Sequence, residues 1–230
     1  MHLNYFVLKI LNNNYIKLFI LIAVSFIVDS LFIQNISNPP AWDQGYHLSN
    51  VFKMYNILDN RNLDFLNKFN SILNITDSYR GPITYFISAL FLKISNNTYY
   101  FAYLSNQIFN IVCIFCIFNL GKIIKNEASG LWASIIFTFS NFILNQRADF
   151  LIDLSLTSLS CLSLLFLTKW YLDNKANSKY SILSGISLGF VFLCKPTGIV
   201  LFIFPLITIL WKTYKSKNGL STKVSEILLF

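Results

Sequence analysis

Seven apolar runs, separated by connections in which lysines recur in clusters, constrain this chain more than any other feature. They are Tyr15 to Ile33, Ile83 to Ile94, Tyr99 to Leu120, Gly130 to Leu144, Phe150 to Leu167, Ile182 to Leu193 and Ile199 to Trp211. A helix crossing the hydrocarbon core of a bilayer takes about 20 residues, and runs of about 10 to 14 are as often interfacial or re-entrant. Seven runs therefore need not mean seven spans. With 55% hydrophobic and only 12% charged residues, the composition lies far from an ordinary soluble domain and gives an integral, all-α membrane protein.

Lysine placement orders the runs. Lys9 precedes the first run, Lys17 lies at its start and no small-residue cleavage site follows it, so the N-terminus reads as an uncleaved signal anchor with a cytoplasmic start. Residues 34–98 then form a long outer loop. The clusters Lys122 and Lys125, then Lys169, Lys175 and Lys179, then Lys212, Lys215, Lys217 and Lys223 all belong inside. This gives six expected spans, at about 15–33, 99–120, 130–145, 150–168, 181–194 and 197–211, with both ends cytoplasmic. Ile83 to Ile94 becomes an outer interfacial or re-entrant helix, and residues 44–59, where Leu48, Val51, Phe52, Tyr55 and Leu58 recur at helical spacing, a second interfacial helix. Pro39 and Pro40 end the first span's extension, and "CKPTG" (194–198) forms the outer tip of a hairpin.

The net charge of +8 comes from 18 basic residues spread between apolar runs, without a basic stripe and interleaved aromatics, so nucleic acid is not an expected partner. The four cysteines fall in or beside apolar segments, and the Cys113–Cys116 pair reads as packing rather than redox or zinc chemistry. The Asn-x-Ser/Thr triplets at Asn35, Asn74 and Asn96 are expected by chance in a chain so rich in asparagine. There is no internal repeat. The chain ends on "EILLF", the start of another apolar run, and is expected to be a truncated protein.

Each of the three expected outer segments (34–98, 145–153 and 194–198) carries ionisable groups. Asp43, in "NPPAWDQGYHLSN", reads either as a helix cap worth about 1 kcal/mol or as a general base at the bilayer surface. His47 lies four residues on and shares its helix face, as a structural or a substrate-facing residue. Asp29, near the outer end of the first span, is a neighbouring polar contact or a helix-packing residue. In "NQRADFLID", Arg147, Asp149 and Asp153 form either a local network capping the next helix or part of a site. Lys195 in the hairpin tip runs against the positive-inside pattern, which suggests an anion to bind or a snorkelling lysine. Arg80, in "YRGP", is a second outer cation beside a turn.

"PPAWDQGYHL" resembles the first outer loop of the glycosyltransferases of the GT-C fold that use lipid-phosphate sugars. The nearest group is family 39, the protein O-mannosyltransferases and the aminoarabinose transferases of lipid A. "YRGPITYFISALFLKIS" is similar to that family's Pro-containing aromatic segment, "QRADFLIDLSLTSL" to its Arg-to-Asp second loop, and "GISLGFVFLCKPTGIVLFIFP" to its Gly-rich helix ending in Lys-Pro or Lys-Gly. The resemblance covers about residues 15–211, the N-terminal half of a typical member. It departs at Gln44, where the family usually has Glu after the aspartate.

The resemblance implies transfer of a sugar from a polyprenyl-phosphate donor to an acceptor hydroxyl on a lipid, glycan or protein, at a site facing outside, in a plasma or inner membrane. Asp43 would serve as general base. Lys195, Arg147 and Arg80 would clamp the leaving phosphate, and His47, Asp149 and Asp153 would contact sugar or cations. No cofactor is expected; a divalent metal is compatible with the chemistry but not supported by the residues. The rival expectations are an inactive, truncated family member and a transporter or lipid flippase, for which polar residues should lie at mid-membrane.

Overall fold

A computed structural model of the chain describes residues 13–35, 42–75, 79–95, 99–173 and 178–215, and every regular element in them is helical. Pro39, Pro40, Lys9, Lys175, Lys217, Lys223, Asn96 and the terminal "EILLF" lie outside the described residues. In chain order the helices are α1 (Asn14–Gln34), α2 (Trp42–Asp59), α3 (Phe65–Asn74), α4 (Ile83–Ile94), α5 (Tyr99–Ile124), α6 (Glu127–Phe139), α7 (Asn141–Ala148), α8 (Asp153–Leu172) and α9 (Ser178–Cys194). A 3₁₀ segment, Pro196–Phe202, then leads into α10 (Ile203–Lys215).

Local chemistry sets several boundaries. The Asn13 side chain accepts the Tyr15 amide at 2.9 Å and starts α1, Asp64 accepts Asn67 at 2.7 Å and starts α3, and Asn126 accepts Ser129 at 2.9 Å and starts α6. Helix α3 was not anticipated; its Phe65, Leu66, Phe69 and Leu73 are exposed. Helix α1, with 21 residues, is about 30 Å long at 1.5 Å per residue, the thickness of a bilayer core. By length and composition α1 and residues 100–124 of α5 can cross a membrane, and the bent pair α6 and α7 makes a third candidate.

The run expected as one span at 130–145 is broken. Its two helices are bent by 59°. Ser140 is extended at the break, and its hydroxyl donates to the Phe137 carbonyl at 3.0 Å, capturing an acceptor the helix would otherwise use. The span expected at 197–211 opens as the 3₁₀ segment, because Lys195 is extended and Pro196 opens the next turn.

Helix α5 packs between α6 and α8, and α8 runs against α9. One apolar core joins Ile33 of α1, Val51 and Met54 of α2, Tyr85 and Ala89 of α4, and Val191 of α9. The helices of the first loop are thus docked on the bundle, with α2 lying on α4 and α4 on α5. A second core joins Leu18, Leu21, Ile114, Phe118 and Leu131, toward the start of α1 and the end of α5. Here Gly121 and Gly130 meet so closely that a Cβ on Gly130 would overlap the Phe118 carbonyl oxygen. Between α8 and α9, Ser163 and Ser184 donate to each other's carbonyls at 3.2 and 3.1 Å, the small-residue contact that lets membrane helices approach. The arrangement is an all-α helical membrane fold.

Lys122, bonded to Glu127 at 2.7 Å, Lys169, over the Tyr180 ring, and Lys212, over the Trp170 ring at 4.0 Å, lie at helix ends opposite to those that bear Tyr103, Asp153 and Cys194. The bundle therefore has a basic end and an end where the acidic residues collect.

Candidate active site

The acidic end is built from the first turn of α2, the segment before α4, the α7–α8 connection and the residue that follows α9. Asp43 sits in the first turn of α2, about two-thirds exposed, and pairs with Arg80 at 3.3 Å. The Arg80 guanidinium lies over the Tyr46 ring, 4.6 Å from its centroid, so one face of the cation is held by an aromatic and one edge by a carboxylate. Across the site, Lys195 donates to Asp153 at 3.0 Å. Both partners of that pair remain partly exposed.

His47 lies between the two ion pairs. It is buried and shares a 2.7 Å hydrogen bond with the Tyr85 hydroxyl. Burial, reinforced by the positive charge of Arg80, pushes its pKa down to about 4, with Asp43 and Asp153 pulling the other way and Lys195 adding to the depression. At neutral pH it is an uncharged imidazole that feels all four ionic residues. Behind it, Gln44 donates to the Asp149 carboxylate at 2.6 Å, and Asn106 donates to the Asp149 backbone carbonyl at 3.2 Å. Among the described residues no group of three His, Cys, Asp or Glu stands close enough to hold a metal ion.

A sequence-wide comparison matches residues 79–229 to the family model described as dolichyl-phosphate-mannose-protein mannosyltransferase. The chain belongs to this family. No curated protein and no solved structure matches it. Membership in this mannosyltransferase family suggests a membrane glycosyltransferase with a polyprenyl-phosphate-linked donor. The matched segment contains Arg80, Arg147, Asp149, Asp153 and Lys195, whereas Asp43 and His47 lie before it.

Of the seven residues singled out from the sequence of this mannosyltransferase-family chain, four (Asp43, Arg80, Asp153 and Lys195) gather around the buried imidazole of a fifth, His47. Asp149 is held beside them through Gln44. Arg147 is elsewhere: it is fully buried beneath the site, 3.1 Å from Asp29 of α1, and donates to Ser25 at 2.9 Å. Gln107 of α5 donates to the same Asp29 carboxylate, and Asn110 donates to Ser25 at 2.8 Å. The guanidinium therefore ties α7 to α1 and has no exposed surface.

Three residues escaped sequence reasoning. Gln44 counted only as the loss of a carboxylate, yet it is the partner of Asp149, with Tyr103 donating to its carbonyl at 3.5 Å. Tyr46 and Tyr85 had no signal that separates them from the other tyrosines of a chain with 12. Only the packing of α2 on α4 turns one toward Arg80 and the other toward His47.

Proposed function

We propose that this end of the bundle is the transfer site of a membrane glycosyltransferase, facing outside, at which an acceptor hydroxyl attacks the anomeric carbon of a polyprenyl-phosphate sugar. The observation that supports this most is the pair of half-exposed ion pairs, Arg80 with Asp43 and Lys195 with Asp153, converging from separate segments on one neutral histidine. In the reaction the acceptor oxygen forms the new bond to the anomeric carbon. The carbon–oxygen bond to phosphate breaks with its electron pair, and the acceptor proton passes to a base. Asp43 is that base by reason of exposure and position. The leaving polyprenyl phosphate develops negative charge, which Arg80 and Lys195 stabilise from fixed positions. Asp149 and Asp153 orient the sugar and the cations.

An apolar cavity of about 420 Å³ lies under α3, lined by Leu58, Phe69, Ile72, Ile83, Phe86 and Leu193. It borders Pro82, two residues from Arg80, so an isoprenoid chain entering it would bring its phosphate to the cation. The acceptor is a lipid, glycan or protein hydroxyl. The topology that goes with this reading has six spans, with the lysine-rich end inside. A cysteine at Lys195 then reacts with an impermeant reagent in intact cells and one at Lys125 does not; the reverse pattern refutes the orientation.

The chemistry is tested by Asp43→Asn in the intact protein. Transfer should fall by about 10²–10⁴-fold while membrane insertion is kept. Undiminished turnover would reduce Asp43 to a partner of Arg80.

A further inference from the structure

Arg80, Asp153 and Lys195 stand on three segments distant in sequence, and beside each lies a member of one buried polar knot. The Gly81 amide donates to the Cys194 carbonyl at 2.9 Å. The Thr84 hydroxyl lies 2.6 Å from the Ser155 hydroxyl, which itself donates to the Ile152 carbonyl at 2.7 Å, so Thr84 is the donor of that pair. The Cys194 sulfur is 3.1 Å from Ser155 and 3.4 Å from Thr84. Thr84, Ser155 and Cys194 have no exposed surface. Gly81 allows the approach, since a Cβ there would overlap the Leu193 carbonyl oxygen.

The spacing gives the knot its leverage. Gly81 follows Arg80, Ser155 is two residues beyond Asp153, and Cys194 precedes Lys195. Thr84, in the first turn of α4, is four residues on from Arg80. Loosening the knot moves Arg80 relative to Lys195 directly, whereas other contacts between the same helices, such as Ser163 with Ser184, lie two turns or more along α8. We infer that Gly81, Thr84, Ser155 and Cys194 are positioning residues that hold Arg80 and the Lys195–Asp153 pair in register. For transfer this role rests on the site proposed above, and for geometry it stands on the hydrogen bonds alone.

Two readouts on the intact protein in nanodiscs separate the two. The first is acylation of Lys195 by sulfosuccinimidyl acetate, normalised to Lys93, a half-exposed lysine in the last turn of α4. The second is the split between KM for a polyprenyl-phosphate sugar and kcat. Thr84→Val should raise relative Lys195 acylation roughly threefold as its pairing loosens and raise KM about tenfold with a smaller change in kcat. Thr84→Ser, which keeps the hydroxyl, should restore both, and Gly81→Ala should act in the direction of Thr84→Val. Ser163→Ala, at the same helix interface, should alter thermal stability only.

Wild-type acylation of Lys195 in Thr84→Val overturns the proposal, as does an equal rise in Ser163→Ala or a failure of Thr84→Ser to rescue. If Thr84→Val does not insert, Cys194→Ala against Cys194→Ser makes the same comparison. A rise in acylation with transfer absent even from the wild type keeps the knot and removes the glycosyltransferase reading. A loss of transfer in Lys195→Gln, with Thr84→Val normal in both readouts, keeps that reading and removes the knot.

Discussion

Removal of Asp29 should destabilise the protein far more than removal of Asp29 together with Arg147. The guanidinium of Arg147 has no solvent exposure and lies 3.1 Å from the Asp29 carboxylate. At an effective dielectric constant of about 20, two unit charges at that separation attract by about 5 kcal/mol. Burial of the two ions costs several kcal/mol each, so the intact pair is close to neutral in net stability. Asp29→Leu takes away the attraction and leaves the desolvated cation with the Ser25 hydroxyl, a cost of about 3–5 kcal/mol. At about 2–4 °C per kcal/mol for a chain of this size, the unfolding midpoint should fall by roughly 6–20 °C. Asp29→Leu with Arg147→Met replaces the pair by apolar side chains and should recover most of that loss. Scanning fluorimetry in detergent compares the wild type, Asp29→Leu, Arg147→Met and the double variant. A double variant that loses as much as Asp29→Leu and Arg147→Met combined would refute the reasoning, because the two ions would then act independently.

Three further outcomes follow from the same geometry. His47 is neutral when folded, with its pKa pushed from the ordinary 6.5 to about 4, so the unfolded chain binds the extra proton between those values. Its contribution to stability should be complete above pH 6.5 and be lost as the pH falls through 4, and His47→Gln should flatten that part of a midpoint-against-pH curve. Gln44→Glu sets a second carboxylate against Asp149, where the amide now bonds at 2.6 Å; it should lower the unfolding midpoint at pH 8 and regain part of the loss at pH 5, as the pair takes up a proton. Gly130→Ala presses a Cβ on the Phe118 backbone and should cost about 1–3 kcal/mol, whereas Gly189→Ala, with nothing within 4 Å of the added carbon, should be neutral or slightly stabilising in the same melt.

Much of the candidate site was legible because ionisable residues are costly near a bilayer and so are informative when present. Asp43, Arg80, Asp153 and Lys195 could be named from position alone, at the ends of apolar runs. Pairing could not be read. Asp43 meets Arg80, which lies 37 residues along the chain and arrives by the docking of α4 on α2. Arg147 and Arg80 read alike in sequence, each a cation in an outer segment, and Arg147 differs in facing α1 rather than the open end.

The sequence alone determined that the chain is a helical membrane protein, because apolar runs of this length can satisfy their backbone groups in lipid only as helices, and four motifs in order carried the family resemblance. Helix bounds within the short runs were less certain. Ser140 divides one run by a side-chain hydrogen bond that composition does not reveal, and α3 forms in a stretch too polar to register as a span. Tertiary structure alone decided which charges face each other, which are withdrawn into the bundle, and which uncharged residues hold them. Those outcomes depend on contacts between segments tens of residues apart, such as Gly81 with Cys194 and Gln44 with Asp149, and local sequence carries no term for such distances.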